Sequence, residues 1–356
     1  MEYSYCTLFD KNYLDKGLVM IETFRYYNAH ANIYVLAMDE VCYKILSSIS
    51  ALKVVPIRLS DFETEELLKA KKVRSRAEYC WTCTASLISF VLTKFQESYC
   101  TYIDADMRFY DDPDKLVDEM VNAGKSVQII GHRIRNGFAG RVQEELSGKY
   151  CVEFNTFKND EKGKEVLETW RRQTLERCEA FGGAGCLGDQ MYLEHWPEDY
   201  DCVNVSGNPG AGVAPWNINR YKLHAKKGDE IWVICDKGSE PIRIIFFHYH
   251  GLQYITDRKI NIDVHRRYWK IDMELAYQLY GNYLKELNAK KEWLNHEYNF
   301  YPIIKGKAVV ETDKGSLWKK IRRLISGNTY KNIRFRLGNY CKIFLFSKYD
   351  MIDIGQ

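Results

Sequence analysis

The chain has no run of about 18 apolar residues, the length that would suggest a membrane span. Its start, Met1 to Asp10, lacks the charged, apolar and small-residue succession of a secretory signal. Neither an internal repeat nor a low-complexity tract interrupts it. Cys80-Trp81-Thr82-Cys83 is a CxxC without a second pair at zinc-like spacing, and it sits beside a helical pattern, so metal or redox work is not its first reading. The 11 cysteines are scattered, in a chain large enough to bury a core without disulfide staples. They read as buried thiols of a reducing cytoplasm. Together these absences lead us to expect a soluble intracellular globular protein.

What is present is ordinary in amount and uneven in placement. At 356 residues, with 46% hydrophobic and 28% charged, the chain suits one large α/β domain or one domain with an appendage. Between Lys314 and Tyr349 there are ten Lys or Arg residues and no Asp or Glu. Taking those ten from the net charge of +3 leaves the remainder at −7. A mildly acidic body with a basic tail implies an anionic partner for the tail alone.

Strand and helix patterns alternate through the first 110 residues. Tyr5 to Phe9 reads as a strand, and Leu14, Leu18, Ile21 and Phe24 recur at helical spacing. The continuous apolar run Ile33 to Met38 suits a parallel strand covered on both faces. Val54 to Ile57, a helix over Ala85 to Phe95 and a strand Tyr99 to Ile103 follow. Further on we expect a helix Pro113 to Asn122, strands Val127 to Gly131 and Cys151 to Phe154, and an amphipathic helix Glu161 to Cys178. Ile231 to Ile234 and Ile242 to Tyr249 look like late strands, and Ile271 to Glu297 is helical. Phe181 to Gly188 and Ser206 to Pro215 are glycine-rich and flanked by regular elements, which marks them as binding loops rather than linkers. Such an order predicts an open α/β sheet with its ligand beyond the carboxyl ends of the strands.

Three constellations could carry chemistry. Tyr102-Ile103-Asp104-Ala105-Asp106 ends a buried strand in two carboxylates two residues apart. An extended backbone would place both on one face, where they could close on a divalent ion. The plainer reading is a solvated acidic loop. Phe246-Phe247-His248-Tyr249-His250-Gly251 ends another apolar strand, with His248 and His250 on one face. His248 is a candidate third ligand for that ion, with His250 the second choice, and a core or surface histidine bonded to a backbone carbonyl is the alternative. Finally, Gly188-Asp189-Gln190 approaches a helix start, where Asp189 could act as an N-cap and still touch a sugar hydroxyl.

In this order the pieces resemble a nucleotide-sugar glycosyltransferase of the GT-A fold. More narrowly they are similar to glycosyltransferase family 8 and related bacterial surface-polysaccharide enzymes, over roughly residues 3 to 255. Asp10-Lys11-Asn12-Tyr13 stands where that family has its Asp-x-Asn-Tyr turn against the nucleotide. Asp104 and Asp106 match its Asp-x-Asp, Asp189 and Gln190 its Asp-Gln beside the donor sugar, and Trp216-Asn217 its later Trp-Asn pair. His248 with Gly251 matches its His-x-x-Gly.

The resemblance implies a Rossmann-like, mostly parallel central sheet with a helical, basic C-terminal extension. It also implies a donor site of Asp10, Asn12, Tyr13, Asp104, Ala105 and Asp106. Manganese, or magnesium, would be held by Asp104, Asp106 and His248, with Asp189 and Gln190 at the reacting sugar. A UDP-linked donor, a glycan or lipid-linked glycan acceptor (lipopolysaccharide or capsule) and retention by front-side attack are its further expectations. Departures accompany it. Tyr254 stands where the family has a phosphate-binding lysine, leaving that contact to Arg258, to Lys259 or to none. The Asn-Ala-Gly signature is missing, Asn155 matching only a later position. The arginine before the Asp-x-Asp is Arg74 or Arg76. An inverting transferase, with Glu153, Asp160 or Asp189 as base, stays open, as does a non-catalytic glycan-binding protein on the same fold. A sugar-nucleotide pyrophosphorylase is disfavoured, because Leu8 to Asp15 contain no glycine.

We expect three segments: a catalytic domain at 1–255, a helical extension packed on it at 256–313, and a basic tail at 314–356. In the tail, Leu317, Trp318, Ile321, Leu324 and Ile325 share a helical face opposite Lys319, Lys320, Arg322 and Arg323. Ile343 to Phe346 would add apolar depth. Such a helix suits an anionic membrane interface, or else packs on the enzyme's own core. Nucleic acid is not an expected partner, since the body is acidic and no nucleic-acid module is recognisable. The expected location is the cytoplasm, peripherally on the inner face of the cytoplasmic membrane.

Overall fold

A computed structural model describes residues 2–135, 137–180, 187–235, 239–256, 259–262, 271–301 and 351–353. Its centre is strand β1 (Ser4–Phe9), buried at all six positions. Alternate side chains divide between two cores. Tyr5 and Phe9 of β1 face one cluster, while Cys6 and Leu8 face the other. Strand β2 (Asn32–Ala37) divides in the same way, with Ile33 and Val35 against Tyr34 and Leu36. Its continuous apolar run is therefore a strand covered on both faces, as its composition predicts.

Seven strands form the main sheet. The order is β3 (Val54–Arg58), β2, β1, β4 (Tyr99–Ile103), β7 (Tyr150–Lys158), β6 (Val127–Gly131) and β8 (Val203–Val205). The β1–β2, β2–β3, β1–β4 and β6–β8 ladders are parallel, whereas β7 runs antiparallel to both β4 and β6. Three smaller sheets are antiparallel throughout. The architecture is thus α/β with a mixed central sheet, and the expectation of a mostly parallel one is corrected to that extent.

Helix α1 (Leu14–Tyr27) follows β1, and α2 (Glu40–Ser48) follows β2 with Asp39 capping it through the Cys42 amide. Short helices α3 (Leu59–Phe62) and α4 (Glu65–Lys71) lead to α5 (Arg76–Lys94). The last begins nine residues before the helix expected over 85–95, because Ser75 and Glu78 form a reciprocal capping box. Cys80 and Cys83 lie on this helix as free thiols, and burial pushes the Cys80 thiol up to about 12. The CxxC is a helical turn rather than a metal loop.

Beyond β4 come the three-residue β5 (Met107–Phe109), α6 (Asp114–Asn122), α7 (Phe138–Ser147) and α8 (Glu161–Glu176), then the single-turn α9 (Trp196–Asp199). Asp160 caps α8 through the Gly163 amide. Strands β9 (Tyr221–Lys227), β10 (Glu230–Cys235) and β11 (Ile242–Arg243) make an antiparallel sheet. The strand expected over 242–249 is broken. Ile244 still bonds back to Ile231, Ile245 turns to Gly210, and β12 (Phe246–His248) then pairs with β5. One segment serves two sheets, and the break is where it changes partner.

Strands β13 (Gln253–Tyr254), β14 (Lys259–Asn261) and β15 (Met351–Asp353) close a third small sheet, so the far end of the chain returns to the body. Helix α10 (Met273–Tyr298) packs Leu275, Leu279, Tyr283 and Leu287 into the core under β9–β11 and Leu294 into the core of the main sheet. The fully buried ring of Phe154 stacks on Phe246 at 5.6 Å and meets Tyr5 edge-on, tying β7 to β12. Replacing Phe154 by Ala should cost about 3–5 kcal/mol in equilibrium urea unfolding. A loss below about 1 kcal/mol would show that this ring does not carry the junction.

Candidate active site

Strand β4 delivers Asp104 to the carboxyl edge of the main sheet. The backbone then reverses through Ala105 and Asp106 into β5 rather than staying extended. The two carboxylates converge by this turn, not by the alternation of a strand. The reversal is held by backbone bonds from the Asp104 amide to the Glu153 carbonyl at 3.2 Å and from Tyr249 to the Asp106 carbonyl at 2.8 Å. Pairing of Met107 with His248 in the β5–β12 ladder brings the histidine alongside. His248 Nε2 lies 3.1 Å from Asp106 Oδ1 and 3.7 Å from Asp104 Oδ2.

These three groups offer two carboxylate oxygens and an imidazole nitrogen, all within 4.8 Å of one another. Neighbouring ligands of a cation bound at about 2.1 Å in octahedral geometry lie about 3 Å apart, so the set fits a hard divalent ion. Cys151, Glu153 and His248 form a second cluster of the same compactness. Its chemistry is poorer. Burial pushes the Cys151 thiol well up and keeps it neutral, and His248 Nδ1 is already bonded to Glu153 Oε2 at 2.7 Å.

Electrostatics follow from crowding acids around one imidazole. Burial would depress His248, but the charge and hydrogen bond of Asp106, with bonds to Cys151 and Glu153, hold it well above its ordinary value. Burial raises Asp104 to about 7 despite His248, while Asp106 is driven far down by His248, Lys16 and His250 against its own burial. The Tyr102 hydroxyl donates to Asp104 at 3.0 Å.

A cavity of about 300 Å³ opens beside this cluster, lined by Asp104, Asp189, Gln190, Trp216, His248 and His250, among others. Asp189 is raised to about 7, first by burial and then by the nearby Asp104 charge. Contrary to the capping expectation, Asp189 makes no side-chain cap bond to the short 3-10 turn Gln190–His195. Gly188 takes a positive φ of 59°, and a Cβ there would lie 3.1 Å from the Trp81 ring, so the chain enters the cavity wall only as glycine. Gln190 donates to the Ser147 carbonyl at 2.7 Å. Trp216 sets its ring edge-to-face with His248 at 5.3 Å and His250 at 5.5 Å, while buried Asn217 braces the loop through His132 and Gly212 carbonyls. His250 is exposed and borders the same cavity, outside both compact clusters.

The Asp10–Tyr13 turn lies close by. Asp10 accepts from the Asn12 amide at 2.7 Å and pairs with Arg76, whose other partner is Asp39. Arg74 instead holds the end of α8 through the Thr174 and Leu175 carbonyls, so of the two candidate arginines only Arg76 reaches this turn. Tyr13 lies over the ammonium of Lys16 at 4.1 Å. Lys16 is buried and donates to the Leu252 carbonyl at 3.1 Å. Sequence reading passed over Lys16, which lies off the Leu14, Leu18, Ile21 and Phe24 stripe but on a side of the helix that also carries Val19 and Met20. Tyr254 donates to Asp15. Lys259 is exposed on β14, and Arg258 lies outside the described residues. Asn155 is buried in β7 opposite Tyr102, and Asp160 is spent on α8 and Ser126.

No protein-family model matches the chain. Bacillus subtilis (strain 168) protein YfnF is 27% identical over 303 residues, 84% of this chain and 97% of its own. Among solved structures, mouse xyloside xylosyltransferase 1 aligns at TM-score 0.44 and 12% identity, over 70% of this chain and 98% of that one. The galactosyltransferase LgtC, with donor and acceptor sugar analogs, aligns at TM-score 0.43 and 11% identity, over 70% and 87%.

Converting Asp106 to Asn removes the carboxylate closest to His248 while keeping its shape. Calorimetric titration with Mn²⁺ should show affinity lowered at least about tenfold, the result of losing one charged ligand, with the thermal midpoint of the metal-free protein retained. Equal affinity would remove Asp106 from the ligand set.

Proposed function

We propose that this protein is a metal-dependent glycosyltransferase that moves a sugar from a nucleotide diphosphate donor, UDP-linked, to a glycan or lipid-linked glycan acceptor with retention. The observation that carries this reading is the meeting of Asp104, Asp106 and His248 beside a cavity that also holds Asp189 and Gln190. Asp104, Asp106 and His248 would hold Mn²⁺ or Mg²⁺, which would supply Lewis-acid charge to the departing diphosphate.

The chain's own groups take the remaining roles. Asp10, Asn12 and Tyr13 form the turn against the nucleotide, and Ala105 keeps the Asp-x-Asp backbone close to the phosphates. Asp189 and Gln190 present a carboxyl and an amide to the sugar, where fixed dipoles stabilise an oxocarbenium-like transition state. The cavity holds the acceptor hydroxyl in line, which lowers the barrier by positioning alone.

An inverting reading needs an acidic base on the acceptor side. Glu153 has no exposed surface and Asp160 caps a helix, which leaves Asp189 alone for that role. With its carboxyl raised to about 7, Asp189 is also poised for proton transfer. Product anomeric configuration by NMR decides between the two: the donor's configuration is expected, and the opposite one would transfer the reaction to Asp189 as base.

Residues 1–255 form the catalytic domain in this reading, 256–313 its packed extension and 314–356 a basic segment for an anionic membrane surface. The expected amphipathic tail lies outside the described residues, apart from the return of β15 to β14. Among the described residues no helix is long and apolar enough to cross a membrane. Because removing the tail would remove β15 too, charge substitution is the cleaner test. Changing Lys319, Lys320, Arg322 and Arg323 to Gln should reduce co-sedimentation with anionic liposomes, at about 1 kcal/mol per charge. Unchanged binding would exclude the membrane role.

A thermal-shift panel of nucleotide sugars, with and without Mn²⁺, tests the function itself. Stabilisation is expected from a UDP-sugar together with Mn²⁺, worth about 2.7 kcal/mol at one hundred times Kd, and lost with a chelator. A chelator-insensitive shift, or none for any donor, would refute a metal-dependent transferase.

A further inference from the structure

Glu153 occupies a position that strand chemistry alone does not explain. It sits in β7 between Val152 and Phe154 with no exposed surface, where a sheet residue would ordinarily be apolar. One carboxylate oxygen, Oε2, is 2.7 Å from His248 Nδ1. The other, Oε1, is buried without a hydrogen-bond partner. Space around it is closed: at Gly212, with φ of +64°, a Cβ would lie 2.8 Å from Oε1 and 2.7 Å from Ile130 Cγ2. A buried carboxylate with half its acceptors unused is costly, and its one bond goes to the far side of a ring whose other nitrogen faces two aspartates.

We propose that Glu153 is a positioning residue for His248. By accepting a hydrogen bond from the Nδ1–H it fixes the ring's orientation and tautomer, so that the Nε2 lone pair is aimed between Asp104 and Asp106. The adjacent negative charge also makes Nε2 a stronger donor to a cation. This role rests on reading Asp104, Asp106 and His248 as a divalent-cation site. It goes further by giving that site a buried anion that never touches the ion and by withdrawing Glu153 from the acceptor side.

The test is Mn²⁺ binding by the full chain, followed by electron paramagnetic resonance of free Mn²⁺. Glu153→Gln keeps the side chain's shape but removes its charge, and its amide can donate to Nδ1 and so favour the wrong tautomer. Removing such outer partners lowers metal affinity about 10–100-fold, and that weakening is expected here with the metal-free thermal midpoint near wild type. Equal affinity of wild type and Glu153→Gln would overturn the positioning role while leaving the metal site standing. No binding by wild type would overturn both. Should the variant not fold, long-range ¹⁵N–¹H spectra of histidine-labelled wild type with Mg²⁺ decide, with the His248 signals assigned by a His248→Gln variant. Protonated Nδ1 with ligated Nε2 is expected, and a proton on Nε2 would overturn the proposal.

Discussion

His248 has carboxylates on both of its ring nitrogens: Glu153 on Nδ1, and Asp106 with Asp104 on Nε2. Three acids around one imidazole cannot reach neutrality even when that imidazole carries its proton. Burial sharpens the imbalance, because each uncompensated charge is expensive away from water. Asp104 answers by holding its proton up to about 7, and buried Lys16 pulls Asp106 in the opposite direction. With its acids ionised and its imidazole neutral the cluster would carry about −3, or about −2 with Lys16 counted, a charge that the protons on Asp104 and His248 offset in the metal-free protein and that a divalent cation would offset in their place. The likeness between what the charges lack and what such a cation supplies is the physical basis of the functional reading.

The fold exists around that cluster in a definite sense. No single element carries it: Asp104 follows β4, Asp106 precedes β5, Glu153 lies in β7 and His248 ends β12. Two ladders fix their relation, β4 with β7 and β5 with β12. The stacked rings of Phe154 and Phe246 join the two. Behind β5, buried Arg108 forks onto Glu286 of α10 at 2.7 and 2.8 Å, so the long helix buttresses the strand that carries the turn. A bidentate pair of this kind fixes direction as well as distance.

Much of this was legible from residue patterns, and the remainder was hidden for specific reasons. A continuous apolar run marked β2, because a strand covered on both faces needs no polar alternation, and β1 and β4 were readable as short, largely apolar strands. The carboxylates at a strand end and the histidine at another strand end were visible as types. Their approach was expected from the family resemblance, but the route to it was not legible, since it depends on β5, a three-residue strand too short for any periodicity. The run 242–249 looked uniform because it is largely apolar and buried from Ile244 onward, and only a change of partner breaks it. Glu153 could be noticed as an acid inside an apolar strand, but its place on Nδ1 is a tertiary fact. Asp189 read as a cap because sequence cannot tell a 3-10 turn at a cavity wall from a helix start. Lys16 was passed over, as a single cation away from a helix's apolar stripe usually snorkels to solvent, whereas this one is held under Tyr13.

Anomalous diffraction at the manganese edge, from crystals grown with Mn²⁺ and UDP, addresses the central claim most directly. One peak is predicted within bonding distance of Asp104, Asp106 and His248 Nε2, with the diphosphate against it. A peak on Cys151 and Glu153 instead, or none in a crystal that holds UDP, would contradict the account.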